Sequence, residues 1–249
     1  MGRLQRLTLI LWQTWRSMKR ILAVKDFDSP AGRAEVRRLS QEWALYVLGI
    51  VGAKVTVSGE KLAEGPCLFV SNHMGFLDIP LLMSLIDASW VAKSEVRNWP
   101  IFGNAAAAVE TVFVKRASDA SKKHTADEVG SFIAQRKKSV VLCPEGTSSS
   151  HGKQWKRGSF VIAHQFGFPV QPVRICFRPL RDCCYINDDN FATSLWRLLR
   201  HTQVEASVEY FKPRKIVDVE ADTQAIETMV QNSVRQQLMA WGEPLEPLS

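Results

Sequence analysis

Two hydrophobic periodicities divide this chain. Up to about residue 52 apolar positions recur at intervals of three and four, the signature of amphipathic helices. Leu4, Leu7, Leu11, Trp15, Met18 and Leu22 form one stripe, ending before Asp26-Phe-Asp-Ser-Pro30. Val36, Leu39, Trp43, Val47 and Ile50 form a second, ending near Gly52. The pattern predicts a helical hairpin over residues 1–52. Beyond it, short apolar runs predict strands at 54–58, 67–71, 89–93, 111–115, 139–143, 170–175 and 204–211. Helical stretches separate them, notably from Asp78, across 118–137 and from 222 to 241, the last stopping at Gly242. Seven short strands alternating with helices imply an α/β domain over 53–249. Its sheet is expected to be mixed but largely parallel, flanked by helices.

Charge changes the picture only at the start of the chain. The net charge is +7, yet residues 1–40 hold nine Lys/Arg against three Asp/Glu, so the rest is close to neutral. A basic, tryptophan-bearing amphipathic helix fits an anionic membrane surface better than a nucleic acid, and the neutral body excludes the latter. Each basic group near an anionic leaflet contributes about 1 kcal/mol. The bland alternative is a helix that packs on the domain, and both can hold at once. No apolar stretch reaches the ~18 residues of a spanning helix; residues 43–53 supply about half of one. Leu7 to Trp12 is too short for a signal-peptide core, and Arg6 stands where a myristoylation motif needs Ser or Thr. The expectation is a peripheral or monotopic protein on the cytoplasmic face of the membrane. Five cysteines, odd in number and without Cys-x2-Cys pairing, speak against a disulfide framework and against a metal site.

The candidate chemistry clusters where strands end. In Ser71-Asn-His-Met-Gly-Phe-Leu-Asp78, His73 and Asp78 pair a base with a carboxylate directly after a buried strand. Five residues apart, they would diverge by about 140° on a continuous helix, so a strand-to-helix corner is required, with Asp78 at the helix N-cap. Thr111-Val-Phe-Val-Lys-Arg116 ends a strand in two cations, and an arginine fork suits a phosphate. Val140-Val-Leu-Cys-Pro-Glu-Gly-Thr147 is a buried strand opening into a turn able to present amides and a hydroxyl to an anionic oxygen. Phe168-Pro-Val-Gln-Pro-Val173 has its backbone held extended by two prolines. Taken singly, these are a solvated strand end, a surface turn and an edge strand.

In this order the four segments resemble the glycerolipid acyltransferase family, the lysophosphatidate acyltransferases, over residues 50–215. Asn72, His73 and Asp78 match its Asn-His-x4-Asp block, and Phe113, Val114 and Arg116 its Phe-(Ile/Val)-x-Arg block. Pro144 to Thr147 match Pro-Glu-Gly-Thr, and Pro169 to Pro172 match Pro-Val-x-Pro. The resemblance implies acyl transfer from acyl-CoA or acyl-carrier protein to a lysolipid hydroxyl, without cofactor or metal. His73 and Asp78 would be catalytic, and Gly146 would help stabilise the oxyanion. Arg116, with Lys93 or Lys115, would hold the acceptor phosphate. Asn72, Phe113, Glu145 and Thr147 complete the expected substrate-binding set. Two departures stand out: Ser148 where many members have an arginine, and Glu110 where they often have glycine. The first keeps a lyso-ornithine lipid acceptor as the alternative to lysophosphatidate. A serine hydrolase is disfavoured because Gly146-Thr-Ser-Ser-Ser150 lacks the final glycine of Gly-x-Ser-x-Gly. A non-catalytic lipid-binding module would leave His73 and Asp78 without a role.

Overall fold

The computed structural model describes residues 1–60, 65–99, 102–114, 119–186 and 189–245, with the backbone alone at 102 and 119–124. Two long helices open the chain, α1 (Arg3–Leu22) and α2 (Pro30–Val51). The body follows as β1 (Ala53–Ser58), β2 (Leu68–Ser71), α3 (Asp78–Leu85), β3 (Ala88–Lys93), α4 (Phe102–Ala108), β4 (Val112–Val114) and α5 (Asp119–Arg136). It continues with β5 (Ser139–Leu142), α6 (Gly158–Phe166), β6 (Val170–Arg178), α7 (Leu180–Cys183), α8 (Phe191–Leu198), β7 (Val204–Tyr210) and α9 (Val219–Trp241). All seven expected strands form, within a few residues of their expected ends.

The sheet order is β1-β7-β6-β2-β5-β3-β4. β2 pairs in parallel with both β5 and β6, β3 with β5 and β4, and β1 with β7; only β6 and β7 are antiparallel. The expected mixed, largely parallel sheet is therefore present. β2 is buried along its whole length, because a central parallel strand is covered on both faces. Parallel pairing also sends the C-terminal ends of β2, β3, β4, β5 and β6 to one edge. That edge is where α/β sheets place their chemistry.

Local signals fix the helix ends. Ser29 caps α2 by accepting from the Gly32 amide at 3.0 Å, with Pro30 in the first turn. Gly52 closes it in the left-handed region at φ 69°, where an added Cβ would lie 2.1 Å from the Thr202 carbonyl oxygen. α9 begins at Val219, slightly before the expected start, because Asp218 accepts from the amides of Glu220 and Ala221.

The orientation of α1 reverses the ordinary rule. Its buried face carries Arg6, Gln13, Thr14 and Ser17 alongside Ile10 and Ile21, whereas Leu4, Trp12, Trp15 and Leu22 are exposed. α1 does pack on the domain, through this more polar face; of the apolar stripe, Leu7 is half-buried against the core while Leu4, Trp15 and Leu22 stay exposed. Arg6 is the anchor. Its guanidinium donates to the carbonyl oxygens of Ile50 (2.9 Å), Leu199 (2.8 Å) and His201 (2.5 Å). Trp43 of α2 adds an indole bond to Thr14 Oγ1 at 3.0 Å, and Arg20 pairs with Glu42 at 2.6 Å. Ile10, Leu48 and Val51 join the main core, so the hairpin is continuous with the body.

Glu110 also finds its explanation. It sits at φ 60°, a backbone conformation that glycine adopts without strain. Here the carboxylate bonds Lys138 Nζ at 3.0 Å and approaches Arg136 Nε at 3.6 Å, offsetting that strain by tying the start of β4 to the α5–β5 connection.

Replacing Arg6 with Ala should lower stability by about 3 kcal/mol, since buried carbonyls lose charge-assisted donors. Lysine should recover less than half, because a single ammonium cannot reproduce the fork. Urea unfolding measures both; an unchanged midpoint in the alanine variant would remove Arg6 as the anchor.

Candidate active site

The site is built from the end of β2 outward. Backbone pairing of β2 with β6 runs to Ser71 opposite Val173, and there Asn72 takes over with its side chain. Asn72 Nδ2 donates to the Ile175 carbonyl at 2.9 Å, and the Ile175 amide returns a bond to Asn72 Oδ1 at 2.8 Å. Asn72 is 2% exposed, with both ends of its amide engaged in this splice. Here the side chain fixes the strand end that carries His73.

Asp78 is also not the helix N-cap; that position is Leu77, and Asp78 lies in the first turn. The carboxylate turns back across the loop. Its Oδ2 receives three donors, His73 Nδ1 at 2.6 Å, the Met74 amide at 2.8 Å and the Gly75 amide at 3.1 Å. Asp78 is fully buried, while the His73 side chain is 30% exposed. The corner therefore joins the two residues as the sequence required, with the base partly open to solvent and its partner sealed beneath.

Beneath His73 lies Glu145, 3% exposed. Its Oε1 accepts from the His73 amide at 3.2 Å and its Oε2 from Ser149 Oγ at 2.6 Å. Burial pushes this carboxyl up to about 7, with the Ser149 hydroxyl and the His73 amide pulling in the opposite direction. Glu145 is thus a support under the base. Gly146 needs its glycine, at φ 72°, but its amide donates to the Cys143 carbonyl at 3.1 Å to close the turn. Thr147 is exposed at the crest of the turn.

Lys93 ends β3 and is exposed, on the same edge but two strands from β2, about 10 Å across at ordinary strand spacing. Phe113 lies in β4, half-buried, with the Arg97 guanidinium 5.3 Å from its ring centre. Arg116 and Lys115 lie outside the described residues. Among the described residues no group of three His, Cys, Asp or Glu side chains is placed to hold a metal.

A strap that sequence reasoning missed lies against the site. Its described residues, 179–186 and 189–198, bring the Tyr185 amide to the Met74 carbonyl (2.9 Å) and stack Phe191 edge-on against Phe76, with ring centres 5.3 Å apart. Gly75 accommodates it; a Cβ there would lie 3.0 Å from the Cys183 carbonyl oxygen. Ser148 Oγ donates to the Tyr185 carbonyl, so the position where an arginine was looked for is used to pin the strap. Asp189 holds Arg197 and Arg181 together, and their guanidiniums keep its carboxyl well below the usual range. Cys183 and Cys184 are fully buried within it, small packing groups whose thiols burial pushes up.

Comparison with known proteins agrees with this geometry. The family described as Acyltransferase matches residues 54–176. The lyso-ornithine lipid O-acyltransferase of Brucella abortus is 33% identical over 221 residues, covering 80% of this chain and 81% of that protein. The chain belongs to the acyltransferase family. A 1-acyl-sn-glycerol-3-phosphate acyltransferase of Neisseria gonorrhoeae is 28% identical over 243 residues, 94% of this chain and 91% of its own. The crystal structure of the 1-acyl-sn-glycerophosphate acyltransferase PlsC from Thermotoga maritima superposes with a TM-score of 0.69 at 18% identity. It covers 94% of this chain and 97% of its own, a shared fold that includes the N-terminal helices. This acyltransferase is accordingly an enzyme of lipid synthesis. Its Ser149 and Tyr185 carry no signal in a single sequence, because the His73 and Met74 carbonyls that their amides meet are brought close only by folding.

The pH dependence of stability follows from Glu145. Its native carboxyl holds a proton up to about 7, against 4.5 ordinarily, so the native state binds more protons across that interval. The stabilising contribution is full below the ordinary value and lost as pH rises through the native one. Glu145→Gln should flatten the fall in stability across this interval, measured by urea unfolding at several pH values. An unaltered slope would remove Glu145 as its source.

Proposed function

We propose that this acyltransferase esterifies the free hydroxyl of lysophosphatidate with an acyl group from acyl-CoA or acyl-carrier protein, giving phosphatidate. The observation that carries the reading is the 2.6 Å bond between His73 Nδ1 and the buried Asp78 carboxylate at the strand-end edge. Asp78 holds the ring in the tautomer that keeps a proton on Nδ1, so Nε2 is the nitrogen able to accept one. His73 removes the proton from the acceptor hydroxyl as its oxygen attacks the thioester carbonyl. Collapse of the tetrahedral intermediate breaks the carbon–sulfur bond, and the imidazolium returns the proton to the departing thiolate. The nucleophile is the substrate's own hydroxyl, so the enzyme needs none. Arg116 and Lys93 are the cations proposed for the acceptor phosphate.

The same reading seats the enzyme on the cytoplasmic face of an anionic membrane through residues 1–50. It is supported by the exposed Leu4, Trp12, Trp15 and Leu22 of α1, with Arg16 and Lys19 stacked over Trp12 and Trp15. Among the described residues no helix is long and apolar enough to cross a membrane.

One observation favours a second acceptor. Ser148 supplies no charge and its hydroxyl is engaged by Tyr185, so the acceptor site lacks a cation at that position. A lyso-ornithine lipid, whose head group carries no phosphate, matches that arrangement, as does the likeness to the Brucella abortus enzyme.

His73→Ala should lower kcat by about 10²–10⁴-fold, the usual contribution of a general base. Retention of a tenth of wild-type activity would sink the base assignment. Purified enzyme offered lysophosphatidate and lyso-ornithine lipid side by side, with each labelled thioester donor, decides the acceptor. Faster turnover of lysophosphatidate is the expected result, and preference for the ornithine lipid would establish the second reading instead.

A further inference from the structure

Ser149 is buried and carries no charge, yet it meets His73 twice. Its amide donates to the His73 carbonyl at 2.7 Å. Its hydroxyl donates at 2.6 Å to Glu145 Oε2, and Glu145 Oε1 in turn accepts from the His73 amide at 3.2 Å. The two residues thus close a ring of hydrogen bonds that engages both backbone polar groups of the histidine. The Gly152 amide completes the arrangement by donating to Ser149 Oγ at 3.0 Å, which directs the hydroxyl proton toward the carboxylate. Asp78 orients the imidazole from the side-chain end, whereas this ring holds the backbone from which the imidazole swings.

We infer that Ser149 is a positioning residue for acyl transfer, one that sets the height and direction of His73 through Glu145. The inference rests on the reading of His73 as the base. A base displaced by a fraction of an ångström still binds both substrates, so the loss falls on kcat and not on KM. Ser149 also stabilises the ionised form of Glu145, which lies near neutrality. Among the described residues the titratable groups that face Glu145 are His73 and Asp78 of the β2–α3 corner. Removing the hydroxyl takes a donor from the carboxylate, which then retains its proton to higher pH. The protonated carboxyl has less acceptor strength for the His73 amide.

The test is steady-state kinetics across pH on the full chain. Ser149→Ala should lower kcat by about 10- to 100-fold, in line with small misplacements of a reacting group, and move the acid limb of kcat to higher pH. KM for donor and acceptor should each stay within about threefold. Ser149→Cys, of similar shape with a weaker donor, should shift both readouts in the same direction by less, and replaces the alanine variant if that does not fold. A kcat within about twofold of wild type, or a loss without movement of the acid limb, would overturn the inference. His73→Ala run alongside separates the two levels. An active His73→Ala removes the base reading itself, whereas an inactive one beside an unimpaired Ser149→Ala removes only the role of Ser149.

Discussion

A single carboxylate oxygen organises the active site. Asp78 Oδ2 gathers the His73 ring and the amides of Met74 and Gly75, three donors from consecutive residues, within 3.1 Å. Those bonds force the chain to curl immediately after β2, which converts a five-residue separation into a side-chain contact. They also satisfy two buried amides that no helix or strand could serve at that corner. They offset the cost of burying Oδ2, whereas Oδ1 is buried without a hydrogen-bond partner among the described residues.

Around that corner the remaining polar groups act on the backbone. Asn72 splices the end of β2 to β6, Glu145 and Ser149 hold His73 from below, and Tyr185 and Ser148 pin the strap from above. Little of this polar inventory faces solvent. The consequence is a division of labour in which the histidine ring is left partly open to solvent while buried neighbours fix its position. Among the motif residues, Asn72 and Glu145 direct their side chains at backbone groups.

The first helix shows the same economy in reverse. Arg6 faces inward because three carbonyl oxygens at the ends of α2 and α8 and in the turn after it await donors, and a guanidinium fork meets all three. Turning the polar face in necessarily turns Leu4, Trp12, Trp15 and Leu22 out. An apolar, tryptophan-bearing and basic face left in water has a natural counterpart in a lipid surface. Hydrophobic periodicity found this stripe but could not decide its direction, since a moment has no reference to the core.

Sequence by itself determined the seven strands, both helical hairpin segments and the four blocks at strand ends, because periods of 2 and 3.6 and the turn chemistry of Gly, Pro, Ser and Asp are local properties. It also determined that His73 and Asp78 meet, since a strand ending in a turn leaves few other paths. Tertiary structure alone decided the strand order, the antiparallel β6–β7 pair and the outward turn of α1. It alone decided that the Gly146 amide closes a turn, that Glu110 is held by Lys138, and that Tyr185 and Phe191 pack on the β2–α3 corner. Each of these depends on which groups folding brings together, many of them backbone carbonyls and amides. Pairing with the backbone leaves no imprint on the partner's residue type, so no pattern in the sequence announces it.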